Sequence, residues 1–238
     1  MRVKKSNLAP WIVKTWCFPK ENSHEFVWRM EDVLSVYELP YDPDFPVVCM
    51  DESSKQLIGE ITPPTAVEAG RPRREDYEYV RCGTSNQFMF CEPLRGWRHV
   101  EVTATRTMQD WAGAIRRLVD VHYASACKIR LVLDNLNTHT GASLYAAFAP
   151  AEAKRILDRL ELHYTPKHAS WLNMAEIEIG IMNRQCLDRR LDDLEVTARE
   201  VRAWELQRNQ SQAKIHWTFT VEAARRKMSK TYPSIEGG

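Results

Sequence analysis

The sequence predicts an α/β fold, a sheet with helices packed on its faces. Short apolar runs, "PVVCM" before Asp51 and "KIRLVL" before Asp134, alternate along the chain with stretches whose apolar residues recur at helical spacing. The 238 residues, 44% hydrophobic and 27% charged, are enough for one large domain or one domain with appendages. No internal repeat or low-complexity tract breaks the pattern.

Residues 1–44 read as an appendage. Lys4, Lys5, Trp11, Lys14 and Trp16 interleave charge and aromatics, which suits either DNA contact or a linker whose tryptophans pack on the main body. Asn22 with Glu25 reads as a capping box for a helix carrying Phe26, Met30, Val33 and Tyr37, which "PYDPDFP" stops. The run "PVVCM" reads as a buried strand ending at Asp51. A proline- and arginine-rich loop, "TPPTAVEAGRPRRED", follows. "YEYVRCGTSNQFMFCEPL" and "WRHVEVTATR" read as strands, the first broken near Gly83 and Asn86.

Thr107 caps a helix with Trp111, Ile115, Leu118 and His122 on one side. A strand then ends at Asp134, and "ASLYAAFAPAEAKRILDRL" is helical, its second half opened by Pro150. "LELHYTP" is a short strand, leading through "KHAS" into a helix that holds Glu176. A wheel started at Leu172 puts Glu176, Ile179 and Asn183 on one stripe and Glu178 on another side. Thr197 with Glu200 reads as the next cap, "KIHWTFT" as a strand or extended tail, and "VEAARRKMSK" as a last short helix.

Composition excludes several function classes. The net charge of +1, from 33 Lys and Arg against 32 Asp and Glu, neither demands nor forbids a nucleic acid. Six scattered cysteines with no C-x-x-C pair argue against a zinc ribbon, and suit reduced thiols in a cytoplasmic protein. No apolar run spans a membrane, and the start lacks a signal-peptide core. Phosphate-binding glycine loops and a G-x-S-x-G elbow are absent.

Asp51 and Asp134 each follow an apolar strand, and Glu176 lies near the start of a later helix. Three carboxylates brought together repel and raise one another's pKa values, a repulsion that divalent cations relieve. Two such ions can stabilise the attacking and leaving oxygens of a phosphoryl displacement. Glu178 is the rival third acid.

The stretches "VVCMDESSKQL", "LVLDNLNTHTGASLY" and "HYTPKHASWLNMAEIEIG" resemble the DDE transposases of bacterial insertion sequences in the mariner superfamily, as does the ending "IHWTFTVEAARRKMSKTYP". The D-N-x-x-x-H stretch (Asp134, Asn135, His139) and the S-x-L-N-x-x-E stretch (Ser170, Leu172, Asn173, Glu176) are similar to that family's second and third acidic motifs. The resemblance implies a ribonuclease-H-like core, a mixed central sheet with helices on both faces. It divides the chain into a linker and helix at 1–44, a catalytic domain at 45–190 and helices completing the core at 191–238.

It further implies that Asp51, Asp134 and Glu176 hold two Mg²⁺ or Mn²⁺ ions, Asp51 bridging them. The activity implied is hydrolysis at the ends of a DNA element, followed by attack of the freed 3′ hydroxyl on target DNA at a TA step. The implied partners are transposon-end and target DNA and a second copy in a synaptic homodimer, at the nucleoid. Asn135, His139, His168 and Asn173 are candidates to orient an acid or touch DNA, with a structural role open for each. Arg71, Arg73, Arg74, Lys167 and Arg184 are candidate DNA contacts, as are Arg189 and Arg190 beside the Glu176 helix. Glu52 is solvated or supports its neighbouring acid, and Trp171 is core or a stacking surface. The helix-turn-helix reader of full transposases has no counterpart in the chain, which leaves a second expectation: a non-catalytic partner that binds DNA or a full-length transposase.

Overall fold

The computed structural model describes residues 23–72 and 74–232. Its centre is a five-stranded sheet in the order β3-β2-β1-β4-β5. Strands β1 (Val47–Glu60), β2 (Tyr79–Glu92) and β3 (Trp97–Thr103) form an antiparallel meander. Strands β4 (Ile129–Leu133) and β5 (Leu160–Tyr164) join β1 in parallel, so the sheet is mixed. The helices are α1 (His24–Tyr37), α2 (Met108–Arg117), α3 (Gly141–Ala147), α4 (Pro150–Asp158), α5 (Ala175–Met182), α6 (Leu194–Gln210) and α7 (Val221–Lys227).

Strand alternation sorts side chains to two faces. Val48, Met50, Phe88 and Phe90 point to one face and pack with Trp111 and Ile115 of α2, Leu144 of α3 and Ile156 of α4. Cys49, Met89, Cys91 and Val132 point to the other, against Ala175, Ile179 and Met182 of α5 and Val201 and Trp204 of α6. A third cluster joins Phe26, Met30 and Leu34 of α1 to Ala169, Leu172, Ala224 and Met228. The Tyr37 hydroxyl donates to the Leu172 carbonyl at 2.8 Å, tying α1 to the turn that precedes α5.

Several local expectations are corrected. Ser23, not Asn22, caps α1 by accepting from the Phe26 N–H at 3.2 Å, while Glu25 pairs with Arg29; Asn22 lies outside the described residues. β1 does not end at Asp51 but runs nine residues further, because β2 pairs with it along its length. β2 is likewise unbroken at Gly83 and Asn86. A register shift leaves Cys82 as an extra residue there, and Gly83 takes the irregularity at φ +107°. Asp193 caps α6 one turn before Thr197, whose hydroxyl instead donates back to the Asp193 carbonyl at 2.7 Å. Residues 213–220 hold no strand.

The β2–β3 turn depends on Gly96, whose φ is +71° and whose missing Cβ would fall 2.7 Å from the Gln212 backbone. Gly96→Ala is expected to destabilise by roughly 2–4 kcal/mol, from left-handed strain plus the clash. Urea unfolding measures it, and a loss below about half a kcal/mol would show that residues 211–213 simply move aside.

Candidate active site

The pairing of β1 with β4 explains why two distant aspartates become neighbours. Val47, Val48 and Cys49 lie opposite Arg130, Leu131 and Val132. Continuing that register by two residues sets Asp51 beside Asp134, on the face where Cys49 and Val132 meet α5. β4 stops at Leu133, so Asp134 sits on the rim and is partly open, while Asp51 is held within the longer β1 and is buried.

Asn173 joins the acid strand to the acid helix. Its Nδ2 donates to the Met50 carbonyl at 2.8 Å and to Asp51 Oδ2 at 3.2 Å. Its Oδ1 accepts from the Ala175 N–H at 3.1 Å, in the first turn of α5. Asp51 Oδ1 accepts from the Glu52 N–H at 2.8 Å. Burial, and then the charges of Glu176 and Asp134, push the Asp51 carboxyl up to about 7, against the opposing Glu52 N–H. Asp51 therefore feels both other acids across the end of the sheet.

Glu176 reaches this place differently from the helical-stripe expectation. Leu172 lies in a separate 3-10 turn, Ser170–Leu172, so a wheel drawn through it into α5 is out of phase. α5 buries Ala175, Glu178, Ile179 and Met182, and Glu176 is exposed on the opposite side. The rival acid, Glu178, is fully buried and already neutralised: Arg98 Nη2 lies 2.7 Å from Oε1, Arg208 Nη2 3.0 Å from Oε1 and Arg208 Nε 3.1 Å from Oε2. Burial alone would push the Glu178 carboxyl up, but the two guanidiniums outweigh it and hold it below the usual range. A wheel begun at Ala175 would have put Glu178 on the buried face; its two arginine partners leave no local signature.

His139 is completely buried with its ring stacked on Trp111, centroids 5.7 Å apart. Its Nδ1 is 2.5 Å from Asp134 Oδ1, and its Nε2 is 3.6 Å from Glu52 Oε2. Burial disfavours the imidazolium, yet the two carboxylates more than compensate and raise the ring to about 9. Asn135 is exposed on the loop after Asp134. His168 is exposed too, at φ +62°, and with Lys167 borders a shallow depression against Ser23, Phe26 and Arg29.

The basic candidates separate. Arg184 is exposed on the π turn continuing α5, whereas Arg189 is paired with Glu200 and Arg190 with Glu60. Arg71 and Arg74 are exposed on the arm between β1 and β2, Arg71 paired with Glu68. That arm begins nine residues beyond Asp51, about 30 Å along an extended strand. Arg73 lies outside the described residues. Trp171 is 38% exposed and meets Phe219 edge-on, so it belongs to neither core nor open surface alone.

As placed, no three His, Cys, Asp or Glu side chains among the described residues gather closely enough to hold one ion between them. The donor set nonetheless fits a hard divalent cation: all the candidate donors are carboxylate oxygens, and Asp51 carries a charge that burial and its neighbours disfavour. The exposed Glu176 is the side chain free to complete such a set. No described helix is long and apolar enough to cross a membrane, and the five described cysteines are free thiols.

Among solved structures, the chain is similar to a pre-cleavage Mos1 transpososome, at 13% identity and TM-score 0.59, with 94% of this chain and 68% of that one covered. It is also similar to the Mos1 strand transfer complex, at 13% identity and TM-score 0.57 over 94% and 67% of the two chains. The mariner Mos1 paired-end complex with Mg matches at 15% identity and TM-score 0.56, over 94% and 67%. These likenesses establish the ribonuclease-H-like mixed sheet. No curated protein matches in sequence. The family model of the DDE superfamily endonucleases matches residues 46–197. That match takes in β1, β4, α5 and all three acids, and the chain accordingly belongs to the DDE superfamily of endonucleases.

Proposed function

We propose that this chain is the catalytic part of a DNA transposase, with Asp51, Asp134 and Glu176 as ligands of two Mg²⁺ or Mn²⁺ ions. The observation that carries the reading is the Asp51 carboxyl, buried on β1, whose charge the other two acids oppose. A stable fold has no use for that repulsion, whereas a cation site does. Held by these three carboxylates, divalent ions would supply Lewis acidity to the attacking and leaving oxygens of an in-line displacement.

The chain's own residues do the rest. Asn173 holds Asp51 against the start of α5, and His139 holds Asp134. Exposed Glu176 closes the set from the helix. Lys167 and Arg184 contact DNA phosphates, as do Arg71 and Arg74 on the distant arm; Arg73, outside the described residues, is proposed to do the same. Solved neighbours include Mos1 complexes, one with a left transposon end, one with Mn and one with Mg. They support element ends as substrate, pairing of two copies, and strand transfer into target DNA, with attack at a TA step as part of the same proposal. In this reading residues 45–190 form the catalytic domain, 191–238 complete it and 1–44 link it to its surroundings.

The test is conversion of supercoiled plasmid to the nicked form. Nicking in Mn²⁺ that EDTA abolishes is expected, weakening steeply as salt rises. Nicking that survives EDTA would refute the metal assignment.

A further inference from the structure

We propose that Glu52 is a positioning residue of the acid centre, acting through His139 to fix the orientation of the Asp134 carboxylate. The inference rests on the assignment of Asp134 to that centre. Strand alternation sends Glu52 to the opposite face from Asp51, so it cannot join the three acids directly. It meets them from behind. The Glu52 side chain is only 7% exposed; Arg106 Nη1 holds Oε1 at 3.2 Å, while Oε2 has no hydrogen-bond partner.

His139 Nε2 lies 3.6 Å from that oxygen, buried and equally without a hydrogen bond. Buried polar atoms are rarely left unmatched, and two that face one another mark a joint that closes with a small movement. Catalytic hydrogen bonds are often long before substrate binds and tighten afterwards. Every other freedom of the ring is removed: Trp111 fixes its plane, and Asp134 takes Nδ1. The backbone is held as well, by Tyr164 Oη donating to the His139 carbonyl at 3.0 Å and by the His139 N–H donating to Leu136 at 2.9 Å. The result is a carboxylate–imidazole–carboxylate chain, the arrangement that orients metal ligands from their outer side.

Glu52→Gln and Glu52→Ala test it, with Asp51→Asn as the inactive reference. In metal-free protein the wild type should show an exchange-protected imidazole proton on His139 Nδ1, and both variants should lose that protection. The Mn²⁺ concentration giving half-maximal nicking should rise about 10–100-fold in both, with a smaller change in the rate at saturating Mn²⁺. Should the alanine variant not fold, the near-isosteric glutamine variant decides. An unchanged His139 signal overturns the proposal whatever happens to activity, as does a changed signal with wild-type Mn²⁺ dependence. If wild type and Asp51→Asn both fail to nick in any metal, the acid-centre assignment fails by itself. The imidazole signal then decides alone whether Glu52 holds the ring.

Discussion

Asp51→Asn, Asp134→Asn and Glu176→Gln are each expected to lower metal-dependent nicking by roughly a thousandfold or more, equivalent to the several kcal/mol that metal ions contribute to such displacements. All three keep the fold. Glu176 is exposed, so its substitution leaves the core undisturbed, and asparagine at 134 still offers His139 Nδ1 an acceptor while removing part of the ring's counter-charge. Asp51→Asn is expected to go further and raise stability. The folded chain holds the Asp51 proton up to about pH 7, against an ordinary value of 3.8. A carboxyl raised in this way contributes stability that is whole below the unfolded value and is lost as pH rises through the folded one. Above pH 7 the wild type therefore carries a disfavoured charge that asparagine lacks, worth at most about 4 kcal/mol. The gain should appear in thermal unfolding at pH 8 and shrink toward pH 4. Unchanged nicking in all three variants would remove the acids from the chemistry, and a destabilised Asp51→Asn at pH 8 would contradict the repulsion.

Glu178→Gln gives the second large effect, on stability. Arg98 is 1% exposed and donates to Glu178, to the Gly96 carbonyl at 2.6 Å and to the Ala213 carbonyl at 2.5 Å. Removing the carboxylate leaves that guanidinium buried without its counter-charge, a loss of about 3–5 kcal/mol. Replacing Arg98 with Met in the same chain should restore part of it, because the uncompensated charge goes too. The sign with pH is opposite to that of Asp51. Glu178 lies below its ordinary 4.5, so its contribution is present above that value and fades as pH falls beneath it. Urea unfolding of the single and double variants measures this. A loss under about 1 kcal/mol would mean water already compensates the pair.

The two glutamates of α5 show how far a sequence carries. Glu176 was singled out by the motif around Asn173 and by the resemblance it supports. The physical reason first attached to it, a shared apolar stripe, does not hold. The 3-10 turn at Ser170–Leu172 breaks the phase, and Glu178, not Glu176, is the acid buried among apolar residues. Its neutralising arginines stand 80 and 30 positions away, a separation that no local periodicity encodes. The strand ends were misjudged for a related reason. Asp51 resembles a strand terminus because the apolar run stops there, yet main-chain pairing with β2 continues regardless of side-chain polarity.

The order of strands and helices, the apolar runs that aim Asp51 and Asp134 at one rim, and the family itself follow from the chain alone, since period and motif are local properties. Tertiary structure decided the rest. Register between β1 and β4 made two aspartates neighbours, and packing of α5 chose which glutamate keeps a free charge. Burial then turned His139 and Glu52 toward each other behind the site. Each of these depends on through-space pairing and desolvation between residues far apart in sequence, which only the folded chain brings into range.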